Sequence, residues 1–211
     1  MKIKFNYQTA LLYLISAISL IFIIVGLHSA FRSSIMLFVF SFSLYIGSYY
    51  LQEENSVNSA KIMKTTLIIM FVIYIAYILT LLFTDTYYNR NEIFEPRINL
   101  IPFKTIGLFL ESANTHSLPV TSIITNLLGN FVAFMPFGFY LPLFFNKFKK
   151  IYWFLLGVIL IVALVEILQL IFMCGSCDID DLILNVFGAL IFYLIMNNKI
   201  VKPYIEKINM F

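Results

Sequence analysis

The chain has 211 residues, of which 61% are hydrophobic and 12% are charged, and its formal net charge is +3. A soluble domain is typically about 25% charged, so this composition excludes a soluble globular protein and indicates an integral membrane protein. No soluble domain is large enough to hold a nucleic acid, and we expect no nucleic-acid partner.

Six apolar runs approach the roughly 20 residues that a helix needs to cross a bilayer. They cover residues 8–27, 34–51, 62–83, 123–145, 151–173 and 182–196. Alternating strand patterns are absent, and lipid tolerates only helices and closed barrels. The sequence therefore predicts an all-α fold, a polytopic membrane helical bundle of about six transmembrane helices. A long outer loop, residues 84–122, joins the third span to the fourth.

Lys and Arg are distributed unequally on the two sides of these spans. Ten of the 14 lie on the side of the termini, and four lie on the other side, namely Arg32, Arg90, Arg97 and Lys104. Because short loops rich in Lys and Arg stay in the cytoplasm, we expect both termini to be cytoplasmic. The long loop is then outside the cell.

The two halves of the chain differ in polarity. Residues 1–56 hold two plain anchoring spans, and residues 57–211 hold the spans that carry polar side chains. We therefore predict a domain boundary near Ser56. Within the outer loop, residues 98–110 are apolar but interrupted by Pro102, which favours an interfacial or re-entrant segment over a seventh span.

The fourth, fifth and sixth spans each carry a polar pair near the outer end. The pairs are Asn126 with Asn130, Glu166 with Gln169, and Asp181 with Asn185. Residues three or four positions apart lie on one face of a helix, and a rise of about 1.5 Å per residue puts all six within about 10 Å of the outer helix ends. We expect one outward-facing polar chamber, covered by the loop that carries Arg97, Asn99 and Lys104.

Acidic residues cluster at this level, because Asp178, Asp180 and Asp181 precede the sixth span. Clustered acids favour a divalent cation, a shared proton or a ligand with hydrogen-bond donors. These three aspartates are the candidate metal ligands, and Glu166, Asp178 and Asp181 are the candidate catalytic residues. The alternative is that the polar groups only hold helices together, as amides commonly do in membranes.

Two cysteines, Cys174 and Cys177, lie on the outer side, where oxidation is allowed. A local disulfide, free thiols, thiol exchange and zinc binding all remain open. Thiol exchange would need a supporting fold of the thioredoxin type. Zinc would need a second pair of ligands.

Several short motifs resemble those of the VanZ-like family of bacterial membrane proteins. They are Asn99, Leu100, Ile101, Pro102 and Phe103; Gly129 and Asn130; Phe134, Met135, Pro136, Phe137 and Gly138; Glu166 and Gln169; Asp178, Ile179, Asp180 and Asp181; Asn185 and Gly188. The resemblance spans about residues 98–193. It implies a multi-pass protein of the bacterial cell membrane and a link to resistance against teicoplanin and related lipoglycopeptides, which bind wall precursors outside the membrane. Many relatives carry an Arg before the acidic stretch; here that Arg is missing or supplied by Arg97.

Three functions remain open. The first is binding of an amphiphile, which would be either a lipid-linked wall precursor or a lipoglycopeptide. The partners would also include membrane lipids, and the ligand would lie at ten predicted ligand-binding residues. These residues are Arg97, Asn99, Asn126, Asn130, Glu166, Gln169, Asp178, Asp180, Asp181 and Asn185. The second is an intramembrane enzyme that modifies a lipid-linked precursor, with Glu166 transferring a proton and the aspartates holding a divalent ion. Ion transport is disfavoured, because the polar groups stop at the outer half of the spans.

Overall fold

The computed structural model describes residues 57–84 and 98–199, which are mostly helical. The helices are α1 (Val57–Thr84), α2 (Lys104–Thr115), α3 (Val120–Ala133), α4 (Phe137–Phe144), α5 (Ile151–Ile171) and α6 (Ile179–Met196), with a 3₁₀ helix at Asn146–Lys149. Two short strands, β1 (Ile98–Asn99) and β2 (Cys177–Asp178), pair in parallel. The predicted spans at 8–27 and 34–51, the boundary near Ser56 and the side chain of Arg97 lie outside the described residues.

Three helical segments are long and apolar enough to cross a membrane. They are Val120–Phe144, Ile151–Ile171 and Ile179–Met196, and they match the fourth, fifth and sixth predicted spans. The third predicted span lies within α1, where Leu67–Ala76 forms a shorter apolar helical stretch. Three of the six predicted spans are thus confirmed by length and composition, and the chain is a membrane protein.

Helix α6 lies at the centre of the compact unit Tyr77–Lys202 and packs on α3, α4 and α5. Two glycines allow this close approach. A Cβ added at Gly188 would lie 1.7 Å from the carbonyl oxygen of Phe131, and one added at Gly138 would lie 2.5 Å from the carbonyl oxygen of Ala189. Small residues let membrane helices pack backbone against backbone, so these glycines fix where α3 and α4 meet α6.

The first membrane segment is divided at Pro136. Helix α3 ends at Ala133, a turn follows, and α4 begins at Phe137. A proline lacks the backbone N–H that a continuous helix needs, which accounts for the break. Every residue of α4 from Phe137 to Leu143 is buried, so α4 forms a large part of the core.

Three lysines, Lys147, Lys149 and Lys150, lie just before α5, at the opposite end of this helix from β2. A 21-residue helix is about 30 Å long, and Lys150 precedes α5 whereas β2 follows it. At the basic end, the Tyr193 hydroxyl donates a 2.7 Å hydrogen bond to the carbonyl oxygen of Lys149. The Phe154 and Tyr193 rings stack with their centroids 4.3 Å apart. The basic connection is therefore anchored on α5 and α6.

The apolar segment 98–110 forms β1, a turn at Pro102 and the first half of α2. Helix α2 has no buried residue. Its exposed side chains include two apolar ones, Leu108 and Leu110. Exposed leucines on a short helix are typical of a segment that lies at a membrane interface. The position of residues 98–110 at the membrane interface therefore stays a prediction.

Candidate functional site

The segment that leads into α2 and the acidic stretch are joined by the two-residue sheet. Its register pairs Ile98 with Cys177 and Asn99 with Asp178. The Asn99 side chain adds a 2.9 Å hydrogen bond from its Nδ2 to Oδ1 of Asp178. The loop predicted to cover the polar residues is thus attached directly to the first residues of α6.

Asp178 caps α6. Its Oδ1 accepts a 2.9 Å hydrogen bond from the backbone N–H of Asp180, and its Oδ2 accepts a 2.6 Å bond from the Thr105 hydroxyl. An aspartate at this position satisfies helix amides that have no partner within the helix. Both oxygens of this buried carboxylate are therefore engaged in holding α6 and the loop together.

Asp180 caps a different helix, α2. Its carboxylate accepts hydrogen bonds from the backbone N–H groups of Phe103, Thr105 (2.7 Å) and Ile106 (3.1 Å). The residue before α2, Phe103, has a φ of 64° and makes no side-chain cap. A negative charge at a helix N-terminus is favourable, so Asp180, only 1% exposed, supplies from α6 the cap that α2 lacks.

Glu166 lies on α5, about 8 Å before the end of that helix at 1.5 Å per residue, and it is 5% exposed. Its Oε2 accepts a 3.2 Å hydrogen bond from the backbone N–H of Asp178. In the part of the chain that the structure describes, the charges that act on Glu166 are those of Asp181 and Asp178, which repel it. A buried carboxylate beside other carboxylates needs a cation, a proton or further donors.

Asp181 connects α6 to α3. Its carboxylate accepts a hydrogen bond from the Nδ2 of Asn130. One turn further along α6, the Nδ2 of Asn185 donates to the backbone carbonyl of Asp181 at 2.8 Å. Among residues 57–84 and 98–199, the buried Oδ1 of Asn185 has no hydrogen-bond partner, although buried acceptors are normally satisfied.

These residues lie in a segment that a known family shares. The sequence profile of the VanZ/LLP1 family matches residues 71–201. The chain belongs to the VanZ/LLP1 family. The match extends the resemblance seen over about residues 98–193 and includes every described polar residue named above. Neither a curated protein nor a solved structure matches the chain.

The structure of this VanZ/LLP1 protein brings together most of the predicted polar residues. Hydrogen bonds join these residues in two groups, Asn99, Glu166, Asp178 and Asp180 in one and Asn130, Asp181 and Asn185 in the other. Two other predicted site residues donate hydrogen bonds to backbone carbonyls outside these groups. The Gln169 amide donates to the Leu82 carbonyl at 3.1 Å, and the Asn126 amide donates to the Ser122 carbonyl within α3. The site is thus smaller than the single chamber expected from the helical spacing.

The three candidate metal ligands each contact different groups. Within residues 57–84 and 98–199, no group of three or more His, Cys, Asp or Glu residues is placed to hold a metal ion. Asp178, Asp180 and Asp181 bind different partners, namely the Thr105 hydroxyl, the first amides of α2 and the Asn130 amide. A divalent cation shared by these aspartates stays a prediction, and these separate partners do not favour it.

Both cysteines are free, so the local disulfide is not formed. Cys174 is buried, and Cys177 on β2 is partly exposed. Burial raises the pKa of the Cys177 thiol, and the negative charges of Glu166 and Asp178 raise it further. Thiol exchange proceeds through the thiolate, so this environment disfavours a redox role for the Cys-x-x-Cys pair.

Sequence reasoning missed Thr105. Its hydroxyl donates to Asp178, accepts a 3.1 Å bond from Asn99, and its own backbone N–H donates to Asp180. A threonine near a helix N-terminus is a common capping residue, and its position shortly after Pro102 is the signal that could have indicated this role. Thr105 therefore belongs to the group that fixes the loop on α6.

Proposed function

We propose that this VanZ/LLP1 protein binds the polar headgroup of an amphiphile at Glu166 and Asp181. The observation that carries the proposal is the unsatisfied polarity of this site. In the described ranges, each of the two carboxylates accepts one side-chain or backbone hydrogen bond, and the buried Oδ1 of Asn185 accepts none. Buried polar groups are normally satisfied, so a ligand with donors would complete this site.

The surroundings of the site favour an amphiphile over a small soluble molecule. One group of exposed apolar side chains lies at the end of α5, after Glu166, and a second group lies just before α2. They are Ile171, Phe172, Met173, Leu100, Ile101 and Phe103. A headgroup held near the ends of α5 and α6 would leave an acyl chain against such apolar surfaces, where its burial is favourable.

The ligand we propose is a lipid-linked cell-wall precursor or a lipoglycopeptide such as teicoplanin, among the lipids of a bacterial cell membrane. Both termini would lie in the cytoplasm, as the distribution of Lys and Arg indicates, and the site would face outward. Binding there would lower the amount of antibiotic that reaches wall precursors. Resistance to lipoglycopeptides would follow from this competition.

The direct test measures teicoplanin susceptibility and the surface binding of fluorescent teicoplanin in cells with and without the protein. We expect cells that carry it to grow at higher antibiotic concentrations and to bind less antibiotic. The Glu166→Gln variant should lose most of this effect, whereas Glu111→Gln, a matched change at an exposed acid of α2, should keep it. Unchanged surface binding at matched expression would refute the proposal.

A second candidate function is intramembrane modification of a lipid-linked precursor. It is favoured by the electrostatic interaction of two carboxyl groups, Glu166 and Asp181, since such pairs can hold and transfer one proton. Mass analysis of wall lipids incubated with the purified protein separates the two functions. A substrate that changes mass with wild type and not with Glu166→Gln would establish the enzyme.

A further inference from the structure

The atoms left over for a ligand around Asp181 are all hydrogen-bond acceptors. Oδ1 of Asp181 accepts from Asn130, and Oε2 of Glu166 accepts from Asp178. The second oxygen of each carboxylate and the Oδ1 of Asn185 accept nothing within residues 57–84 and 98–199. A ligand that satisfies them must supply donors.

Asn185 is fixed on the same face of α6 as Asp181. The two residues are four positions apart, a spacing that makes helical side chains neighbours, and the Asn185 Nδ2 is held by the Asp181 carbonyl at 2.8 Å. That bond determines which amide atom remains, namely Oδ1. Asn185 is 3% exposed, so bulk water does not reach its Oδ1. This buried acceptor is a second observation, independent of the carboxylates, that favours a bound ligand with hydrogen-bond donors.

The carboxyl groups around these acceptors also repel one another. The charged groups that act on Glu166 and on Asp181 in the described part of the chain are other carboxylates. Like charges at short range disfavour each other, and a buried charge needs an opposite partner. A donor that carries positive charge would offset this repulsion and also supply the hydrogen bonds that these acceptors lack.

We infer that the site takes the primary ammonium group of an amphiphile, with its three N–H donors directed to Glu166, Asp181 and Asn185. A primary ammonium has three donors and no acceptor, which matches a site that offers acceptors only. This inference rests on the proposed function and specifies the chemical class of the headgroup. Asp178 and Asp180 take no part, because their oxygens already hold α6 and α2.

The test uses the full chain in mild detergent, titrated with dodecylamine and followed by native mass spectrometry. Two probes of the same chain length, dodecyltrimethylammonium and dodecanol, serve as comparisons, since the first has charge without N–H donors and the second has a donor without charge. We expect dodecylamine to bind about tenfold or more tightly than either, as charge-assisted hydrogen bonds predict. Equal binding of the three probes to the wild-type protein would overturn the inference, and this comparison needs no variant.

Variants then locate the site. Glu166→Gln and Asp181→Asn should each weaken dodecylamine binding by about tenfold or more, and Glu111→Gln should leave it unchanged. Arg97→Gln should also leave it within about twofold; a large gain in affinity would identify Arg97 as the counter-ion within the chain and overturn the inference. Equal loss in Glu111→Gln would overturn it as well.

One further comparison separates this inference from the proposed function. Teicoplanin and a lipid-linked wall precursor are titrated in the same way against wild type and Glu166→Gln. If either binds wild type selectively while dodecylamine does not, the ammonium specificity is wrong and the amphiphile site stands. If no amphiphile of any headgroup binds, both are wrong.

Discussion

The carboxylate of Asp180 accepts a hydrogen bond from the backbone N–H of Thr105 at 2.7 Å. This bond joins the first turn of α6, one of the long apolar helices, to the first turn of α2. Asp178, two residues earlier, accepts the Thr105 hydroxyl at 2.6 Å. Two of the four acids in the polar cluster therefore hold α2 and the segment before it in place, and Glu166 and Asp181 are the two that remain for a ligand.

Replacing Asp180 with alanine should release α2 without unfolding the spans. The change removes the cap of α2 and leaves backbone amides of Thr105 and Ile106 without their acceptor. Loss of a helix cap costs about 0.5 to 2 kcal/mol. Hydrogen exchange at residues 103–106 should accelerate in Asp180→Ala and stay unchanged in the control Glu111→Ala. Unchanged protection in Asp180→Ala would show that the cap is dispensable.

Gly188→Ala should strongly destabilise the packing of α3 on α6. The added Cβ would lie 1.7 Å from the carbonyl oxygen of Phe131, and a backbone atom cannot rotate away as a flexible side chain can. Overpacking in a core typically costs about 1 to 3 kcal/mol, and this contact should lie at or above the upper end. The midpoint of thermal unfolding in detergent measures the effect.

Gly129→Ala is the matched control for this change. Gly129 lies on α3, and a Cβ there would meet no atom within 4 Å. Alanine also favours helix over glycine by about 1 kcal/mol, so the control should unfold at the same temperature or higher. Equal destabilisation by the two changes would contradict the close approach of the backbones at Gly188.

Part of the site could be predicted from the sequence, because spacing determines which residues share a helix face. Asn185 does lie next to Asp181 as its four-residue spacing requires, and Glu166 does reach the acidic stretch. The partners of Asp180 could not be predicted, since they are backbone amides of a distant loop. Every residue but proline has such an amide, and only the fold selects which ones a carboxylate meets.

The fold was predictable in outline for a similar reason. Apolar length identifies Ile151–Ile171 and Ile179–Met196 as membrane segments, because crossing lipid requires a long apolar helix. The short pairing of Asn99 with Asp178 has no comparable signal, since two residues are too few for a strand pattern. Likewise, Gln169 was expected beside Glu166 in the polar site, but it lies where it can donate to the Leu82 carbonyl.

Alkylation of Cys177 should report the charge of Glu166. Burial and then the charges of Glu166 and Asp178 raise the pKa of this thiol, so little thiolate exists at neutral pH and the rate should rise steeply as the pH becomes alkaline. Glu166→Gln removes one negative charge, lowers the pKa of the thiol and should speed alkylation at a fixed pH. The rate is measured with iodoacetamide in a Cys174→Ser background.

Glu111→Gln in the same background controls for a general change in charge or folding. Its Cys177 should react at the rate of the parent protein, because the charges that act on the thiol are those of Glu166 and Asp178. Identical rates in the Glu166→Gln variant and its parent would mean that Glu166 carries no charge at that pH.

Labelling of single cysteines in whole cells should establish the orientation. In a chain whose own cysteines are replaced by serine, a Thr115→Cys variant should react with a membrane-impermeant maleimide, because α2 would lie outside the cell. A Ser56→Cys variant should react only after the membrane is permeabilised, since the excess of Lys and Arg places that side in the cytoplasm. The opposite pattern would turn the polar site toward the cytoplasm and contradict a role in antibiotic exclusion.

The most direct measurement is the analysis of amphiphiles that co-purify with the protein in mild detergent. Lipid extracts of wild type, Glu166→Gln and Glu111→Gln, purified from the same cells, are compared by mass spectrometry. We predict that one class of amphiphile is enriched with wild type and Glu111→Gln and is reduced about tenfold or more with Glu166→Gln, as loss of a charged hydrogen-bond partner implies. Identical lipid profiles for all three proteins would contradict a binding site at Glu166 and Asp181.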